Sequence, residues 1–419
     1  HPKEQVTRVR RLWLPLGIGA AGVVAFALTR DLGATHVDPT MPTTIVTGPP
    51  PGFSPMGRVD GARRGRSHDP LPDHPQLLWR NAPQGALDFA PIAVDAAGSV
   101  IIASAGLPQL FQLTSGGVEQ WRAKTGIGPS VTGAVLLGDE TRAIVTSAGD
   151  LIGFYPTGRP RFAIPLDLPE RNAHIGILPL DDGGLAVSAG HDIDELDGDG
   201  RRRDRTHLTE RIAGPLVATR RGIVATTAAG NVFLIRGGFA KRLGTLGGDP
   251  GEPGASSPDG RSLSAVVDHQ RLVTLDLATG SVETLHAVSD QSLHGPVVIG
   301  ANDARVFVSW NGVLTRVGRG AGDVRRTPLD ARAETLITDA GKVDFAQLDE
   351  SPPPITDAEG RIGFARVGGR AGVVDPDGKV HFATGGACSS PAALAPAGPR
   401  RMVIACRDGT VVMIGDPAP

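Results

Sequence analysis

The side chains best placed to hold a cation are four carboxylates in HDIDELDGDG, residues 191–200: Asp192, Asp194, Asp197 and Asp199. Closely spaced aspartates in a turn-rich stretch are the oxygen donors that calcium takes. The spacing only partly fits, because the twelfth position counted from Asp192 is Arg203, where a calcium-binding helix–loop–helix needs a bidentate glutamate. The segment therefore reads as turn acids offset by Arg201, Arg202 and Arg203, with a charged docking patch and a metal site as alternatives. Elsewhere there is no Gly-x-Ser-x-Gly elbow, phosphate-cradling loop or His-Glu-x-x-His pair, and the 11 histidines are scattered. No catalytic, cofactor-binding or metal-binding residue is assigned, and no cofactor is expected. Trp310, in Val306-Phe307-Val308-Ser309-Trp310, reads as sheet packing, with a surface anchor for a partner as the alternative.

The elements that would position these residues follow from composition. The 419 residues include 57 glycines and 35 prolines, with 21% charged and 4% aromatic residues. Glycine is scattered among Val, Ile, Leu and Ala without a three-residue period, which excludes collagen and indicates many turns between strands. A formal net charge of -2 gives no basic footprint for nucleic acid.

The first thirty residues stand apart. Lys3, Arg8, Arg10 and Arg11 precede the uncharged run Leu12–Leu28. As a helix that run spans roughly 25 Å, near the short limit for crossing hydrocarbon. The expectation is a basic cytoplasmic flank over 1–11 and a single transmembrane anchor over 12–29. The positive-inside bias then places the remainder outside the cytoplasm. A cleaved signal segment is the alternative, with Ala25-Phe26-Ala27 as its processing site. From Gly33 to Pro75 there are nine prolines, which block a helix and predict a flexible proline-rich linker over 30–75. Arg63, Arg64 and Arg66 within it read as solvated charges, with contact to anionic lipid as the alternative.

From residue 76 onward the chain repeats. The last hairpin of successive units falls at Gly116, Gly158, Gly198, Gly237, Gly280, Gly320 and Gly378, spaced by 42, 40, 39, 43, 40 and 58 residues. The long interval implies an insertion within 331–350. A period near 40 with strand, turn, strand, turn, strand and Gly- or Asp-rich hairpin is that of a four-stranded propeller blade. The final unit, Ser389–Pro419, supplies only three strands. Gln76–Arg80 resembles Val118–Arg122 in its Trp-Arg pair and is expected to supply the missing outer strand. The prediction is an all-β, eight-bladed propeller of four-stranded antiparallel blades over 76–419, with strand 76–81 closing the last blade. Seven blades, or another all-β arrangement, are the alternatives.

LDLATG at Leu275–Gly280 and the Gly-x-x-x-Trp ending at Gly117–Trp121 resemble repeats of the quinoprotein-dehydrogenase-like, or PQQ-like, propeller family. The resemblance covers roughly residues 76–419. It implies one of three functional classes: quinone-cofactor dehydrogenases, the propeller lipoprotein of the outer-membrane barrel assembly machinery, or exported binding propellers. Quinone-dependent members often carry adjacent cysteines near the cofactor, and this chain has no such pair. The resemblance is therefore drawn to the non-enzymatic exported branch. The functional expectation is a membrane-tethered extracytoplasmic, periplasmic propeller that binds an envelope or membrane protein, with residues 12–29 in the bilayer. A ligand-sensing receptor domain and an exported enzyme are the alternatives.

The two cysteines, Cys388 and Cys406, follow from the same alignment of units. Matching Pro391 to Pro91 and Cys406 to Ser104 puts Cys388 just before the first strand of the last blade and Cys406 at the end of the second. Antiparallel pairing brings these ends together, and export supplies an oxidising compartment. A disulfide is expected, with two buried thiols as the alternative.

Overall fold

The computed structural model describes residues 52–57, 59–83, 91–167, 174–251, 254–289, 293, 295–309, 312–319, 322–329 and 351–417. They form eight four-stranded antiparallel sheets. In blades 1–7 the chain runs from the innermost strand outward. In blade 1 the strands are Ala93–Val94, Val100–Ala103, Gln109–Leu113 and Glu119–Lys124. Second strands such as Val100–Ala103 (VIIA) are rich in β-branched residues and largely buried, and third strands such as Gln109–Leu113 are buried beyond their first residue. They lie between neighbouring blades, so both faces are covered and polar–apolar alternation disappears. Outer strands such as Glu119–Lys124 keep polar, exposed side chains.

Blade 8 has the mixed origin expected. Pro391–Pro396, Arg401–Cys406 and Val411–Gly415 come from the C-terminus, and Gln76–Asn81 pairs antiparallel with Val411–Gly415 as its outer strand. Trp79 then reaches across to blade 1. Its Nε1–H donates to the Ser115 carbonyl at 2.8 Å, and a Cβ on Gly117 would meet the indole at 2.6 Å. Blades 1 and 2 are joined in the same way, through Trp121, the Pro156 carbonyl at 2.9 Å, and Gly158. The core sits in these junctions: one cluster joins Ile102 and Phe111 of blade 1 to Val403 and Met413 of blade 8, and another joins Ala371 and Val373 of blade 7 to Ile404 and Ile414 of blade 8.

The disulfide is present. Cys388 and Cys406 are bonded, with Cα atoms 6.1 Å apart. Cys388 precedes the inner strand, and Cys406 ends the second strand opposite Pro391.

The flexible linker expected over 30–75 is corrected from Gly52 onward. That stretch is a belt lying around one mouth of the central channel, touching the ends of the inner strands in blade order. Ser54 and Val94 of blade 1 exchange hydrogen bonds of 3.1 and 2.7 Å. The Pro55 carbonyl accepts from Leu136 N–H of blade 2 at 2.8 Å. Gly61 lies against Leu178 and Pro179 of blade 3, and its carbonyl accepts from Ala218 of blade 4 at 2.7 Å. Ala62, Arg64, Gly65 and Pro70 accept from Ser256, Ile299, Thr356 and Arg400 of blades 5 to 8 at 2.7–3.0 Å. Met56, Val59 and Leu71 are buried beneath it. Proline blocks a helix, but it equally suits an extended chain whose outward carbonyls accept hydrogen bonds. Gly65 is required where the belt passes closest, since its φ is +64° and a Cβ there would meet Val298 at 2.5 Å.

The expected cytoplasmic flank, the span at 12–29, the linker before residue 52 and the insertion at 331–350 lie outside the described residues. Among the described residues no helix is long and apolar enough to cross a membrane.

Candidate functional site

The antiparallel path gives the propeller two unlike faces. The belt shares its face with the hairpins joining first to second and third to outer strands. Gly98 and Ser115, from the two hairpin types of blade 1, lie side by side there. The opposite face carries the hairpins between second and third strands and the connections from each blade to the next. The longest connection, from Val324–Pro328 of blade 6 to Ile355–Thr356 of blade 7, leaves and returns on that face.

On this connection face, two neighbouring segments of blades 1 and 2 hold three aliphatic side chains in water. Leu107 lies in the hairpin before the third strand of blade 1, and Ile127 and Val131 lie in the passage to blade 2. Ile127 is 79% exposed, and Leu107 and Val131 are exposed as well. Backbone bonds from Thr125 N–H to the Pro108 carbonyl (2.9 Å) and from Ser130 N–H to the Ser104 carbonyl (3.0 Å) fasten the segments together. Ile127 stands between Gly126, at φ +83°, and Gly128, whose carbonyl accepts the Thr125 hydroxyl at 3.1 Å. The local sequence thus holds an aliphatic side chain outward on a braced turn.

The four carboxylates of residues 191–200 are not convergent. Asp192 accepts from His207 at 2.8 Å. Asp194 is buried and holds Arg205 at 2.6 Å and Arg202 at 3.1 Å. Asp197 closes its own turn, accepting from the backbone of Asp199 and Arg201 at 2.9 and 2.8 Å. Asp199 pairs with Arg161 of blade 2 at 3.0 Å. Bonding to Asp194 raises the Arg205 pKa. Burial opposes the charge on Arg161, but its bonds to Asp139 and Asp199 outweigh burial and raise its pKa as well. Of the arginines expected to offset these acids, Arg201 pairs with Asp199 and Arg202 with Asp194, whereas Arg203 pairs instead with Asp182; Asp192 and Asp194 lie on the strand and Asp197 and Asp199 in the hairpin that follows. Among the described residues no group of His, Cys, Asp or Glu is arranged to hold a metal.

The arginines of the belt are committed to the fold, contrary to their reading as solvated linker charges. Arg63 is buried, with Nε donating to the Leu216 carbonyl at 2.7 Å. Arg64 pairs with Asp60 at 2.6 Å, while Arg66 joins the fold through its backbone, which forms a β-bridge with Thr356. Trp310 lies outside the described residues.

Two cavities open beside the belt. One, of about 320 Å³, is lined by Asp60, Arg64 and His68 of the belt and by Asp181, Thr219 and Arg220 of blades 3 and 4. The other, of about 590 Å³, lies where the belt ends and contains Asp73, Glu359, Arg361, Asp375 and His381. Its charges are matched internally: Arg361 pairs with Asp73 and Glu359, and His381 Nε2 lies 2.7 Å from Asp375. The exposed aliphatic group left no signal in the sequence, because single apolar residues in Gly-rich turns have no period.

No protein-family model matches the chain, and no curated protein does. Solved structures match most of it. BamB from Moraxella catarrhalis is 16% identical, with 82% of this chain and 100% of that one covered and a TM-score of 0.59. The computationally designed Ika8 protein is 15% identical, with 81% and 100% covered and a TM-score of 0.60. A catalytically inactive virginiamycin B lyase from Staphylococcus aureus, solved with quinupristin, is 11% identical, with 82% and 99% covered and a TM-score of 0.50. Identities this low establish a common architecture alone. By its eight sheets and these likenesses the chain is an eight-bladed β-propeller.

Proposed function

We propose that the chain is a non-enzymatic, extracytoplasmic scaffold of the cell envelope, tethered by residues 12–29, that binds another envelope protein through its connection face. The observation that carries this reading is the braced aliphatic group Leu107, Ile127 and Val131. Lone exposed apolar residues are ordinary, whereas neighbouring ones held on one rigid face suit a protein contact. Loops that vary from repeat to repeat on one face are commonly where such folds bind, and the longest connection leaves from this face. The Cys388–Cys406 bond suits an oxidising compartment. The resemblance to the assembly-machinery propeller points to the same functional class.

A photoreactive residue in place of Ile127 should crosslink one envelope protein in intact cells. Ile127→Asp should weaken that association by roughly 30-fold, since burying such a side chain contributes about 2 kcal/mol. Its melting temperature should be unchanged, because the side chain is already in water. Association of undiminished strength in Ile127→Asp and in Leu107→Asp would refute this assignment of the face.

A further inference from the structure

Blade 4 is unlike the others in charge. From residue 211 to residue 248 there are six basic residues and no acid, in a chain with a formal net charge of -2. Four of them belong to the two hairpins that the blade presents on the belt face. Arg220 and Arg221 form the hairpin after the inner strand, and Arg236 and Lys241 flank the hairpin before the outer strand Phe239–Thr245, whereas Arg242 turns toward the other end of the blade and donates to Asn231, which Glu210 also holds. All four are exposed. Phe239 stands at the tip, 81% exposed, on the turn made by Gly237 and Gly238 with φ of +56° and +78°. Four successive residues, Phe239 to Arg242, are exposed whichever way they point, so this hairpin projects from its neighbours. Asp204 of blade 3 lies beside Gly238, Asp276 of blade 5 lies near Arg221, and Asp181 lines the same cavity as Arg220, so acids weaken the positive field most at the inner hairpin, and Arg236 and Lys241 carry it beside the outer tip. On the same face, hairpin tips of blades 1 and 5 expose Val118 and Val282.

We infer that the belt face docks on a bilayer containing anionic lipid, with Phe239 inserted at the interface and Arg236, Lys241 and Arg220 against phosphates. An aromatic tip above guanidinium and ammonium groups has the chemistry of a membrane interface, apolar toward the acyl chains and cationic toward the headgroups. Chain continuity selects a bilayer over an acidic protein. The belt begins at the channel mouth on this face, so the chain before Gly52 leaves from it. Leu28 and Gly52 are separated by 23 residues, a reach of up to roughly 80 Å. This inference takes from the tether reading only that residues 12–29 meet the membrane. It leaves the connection face turned away and accessible.

The test uses the full chain reconstituted in phosphatidylglycerol–phosphatidylcholine vesicles. An environment-sensitive fluorophore is placed at Phe239→Cys and, separately, at Ile127→Cys. Flotation with the vesicles reads the tether independently of the docking. The expected result is that brominated acyl chains at least halve the emission from position 239 and leave position 127 unchanged. That quenching should disappear in pure phosphatidylcholine and in the Arg236→Glu, Lys241→Glu variant, whose melting should match the parent because both side chains are exposed. A floating chain with equal, aqueous emission from both positions overturns the docking alone. Quenching indifferent to lipid charge, or shielding of position 239 only on adding an acidic protein, also overturns it. A chain that does not float refutes the tether and the docking together, while Ile127 crosslinking separately reads the partner face.

Discussion

A glycine that opens its blade's last hairpin does a second task in the blade before it. Gly158 has φ +79°, where a side chain is strained, and a Cβ there would also lie 2.6 Å from the Trp121 ring. Gly158→Ala should therefore cost about 2 kcal/mol in urea unfolding, more than the backbone term alone. The Gly-x-x-x-Trp pattern is visible in sequence within one unit, Gly117 to Trp121. The contact it serves is between units: Trp121 covers Gly158 of the next blade, and Gly117 is covered by Trp79 of blade 8, its neighbour in the ring. Spacing along the chain shows the signature, and the packing of neighbouring blades supplies the partner. Likewise, arginines adjacent in sequence to the acids of residues 191–200 were legible as partners, whereas pairing with Arg205 and Arg161 depended on an adjacent strand and a neighbouring blade.

At the scale of elements, the closing strand and the belt differ in how plainly they could be read. The strand was legible because the last unit lacked one strand and Gln76–Arg80 carried the Trp-Arg pair of an outer strand. The belt was not, because its recognition uses backbone carbonyls, which every residue has and no side-chain pattern reports. The two elements meet at Asp416. Its carboxylate accepts from Asp73 N–H at 3.3 Å, His74 N–H at 2.6 Å and Arg400 at 3.0 Å. Burial pushes its pKa up, but the His74 N–H bond, Arg400 and the Asp73 N–H bond outweigh burial and hold it below the usual carboxylate range. A carboxyl depressed in the folded state contributes stability above its unfolded value, near 4, and loses it as pH falls through the lower folded value. The stability advantage of the parent over Asp416→Asn should stay constant from pH 7 to about pH 5 and shrink on further acidification. Parallel urea titrations of the two proteins across that range measure it; an unchanging difference would show that Asp416 is not held down by this clasp.

For the molecule as a whole, the period near 40 made eight blades legible, since each small sheet can bury its faces only against another. The exposed aliphatic group Leu107, Ile127 and Val131 was not, because it is assembled from separate turns. The belt makes the whole ring respond as one body. Deleting residues 52–72 would remove hydrogen bonds to seven blades, together with the burial of Met56, Val59 and Leu71. That deletion should lower the melting temperature well beyond deletion of residues 30–50, which precede the belt. Equal melting by calorimetry would show that the ring holds itself without it.

The belt also bears on how this chain can evolve. Propellers change size when recombination copies or removes one unit in frame, an event that disturbs a single junction and leaves its neighbours intact. Here seven blades are hydrogen-bonded in order to fixed positions between Ser54 and Pro70, and blade 3 lies against Gly61 in its turn. A ninth unit would arrive with no place on that thread, and every contact downstream of the insertion would fall out of step. A viable change of copy number would need a second, compensating lengthening in a distant part of the coding sequence. The number of repeats is thus recorded twice in this protein, once in the units and once in the strand that tallies them.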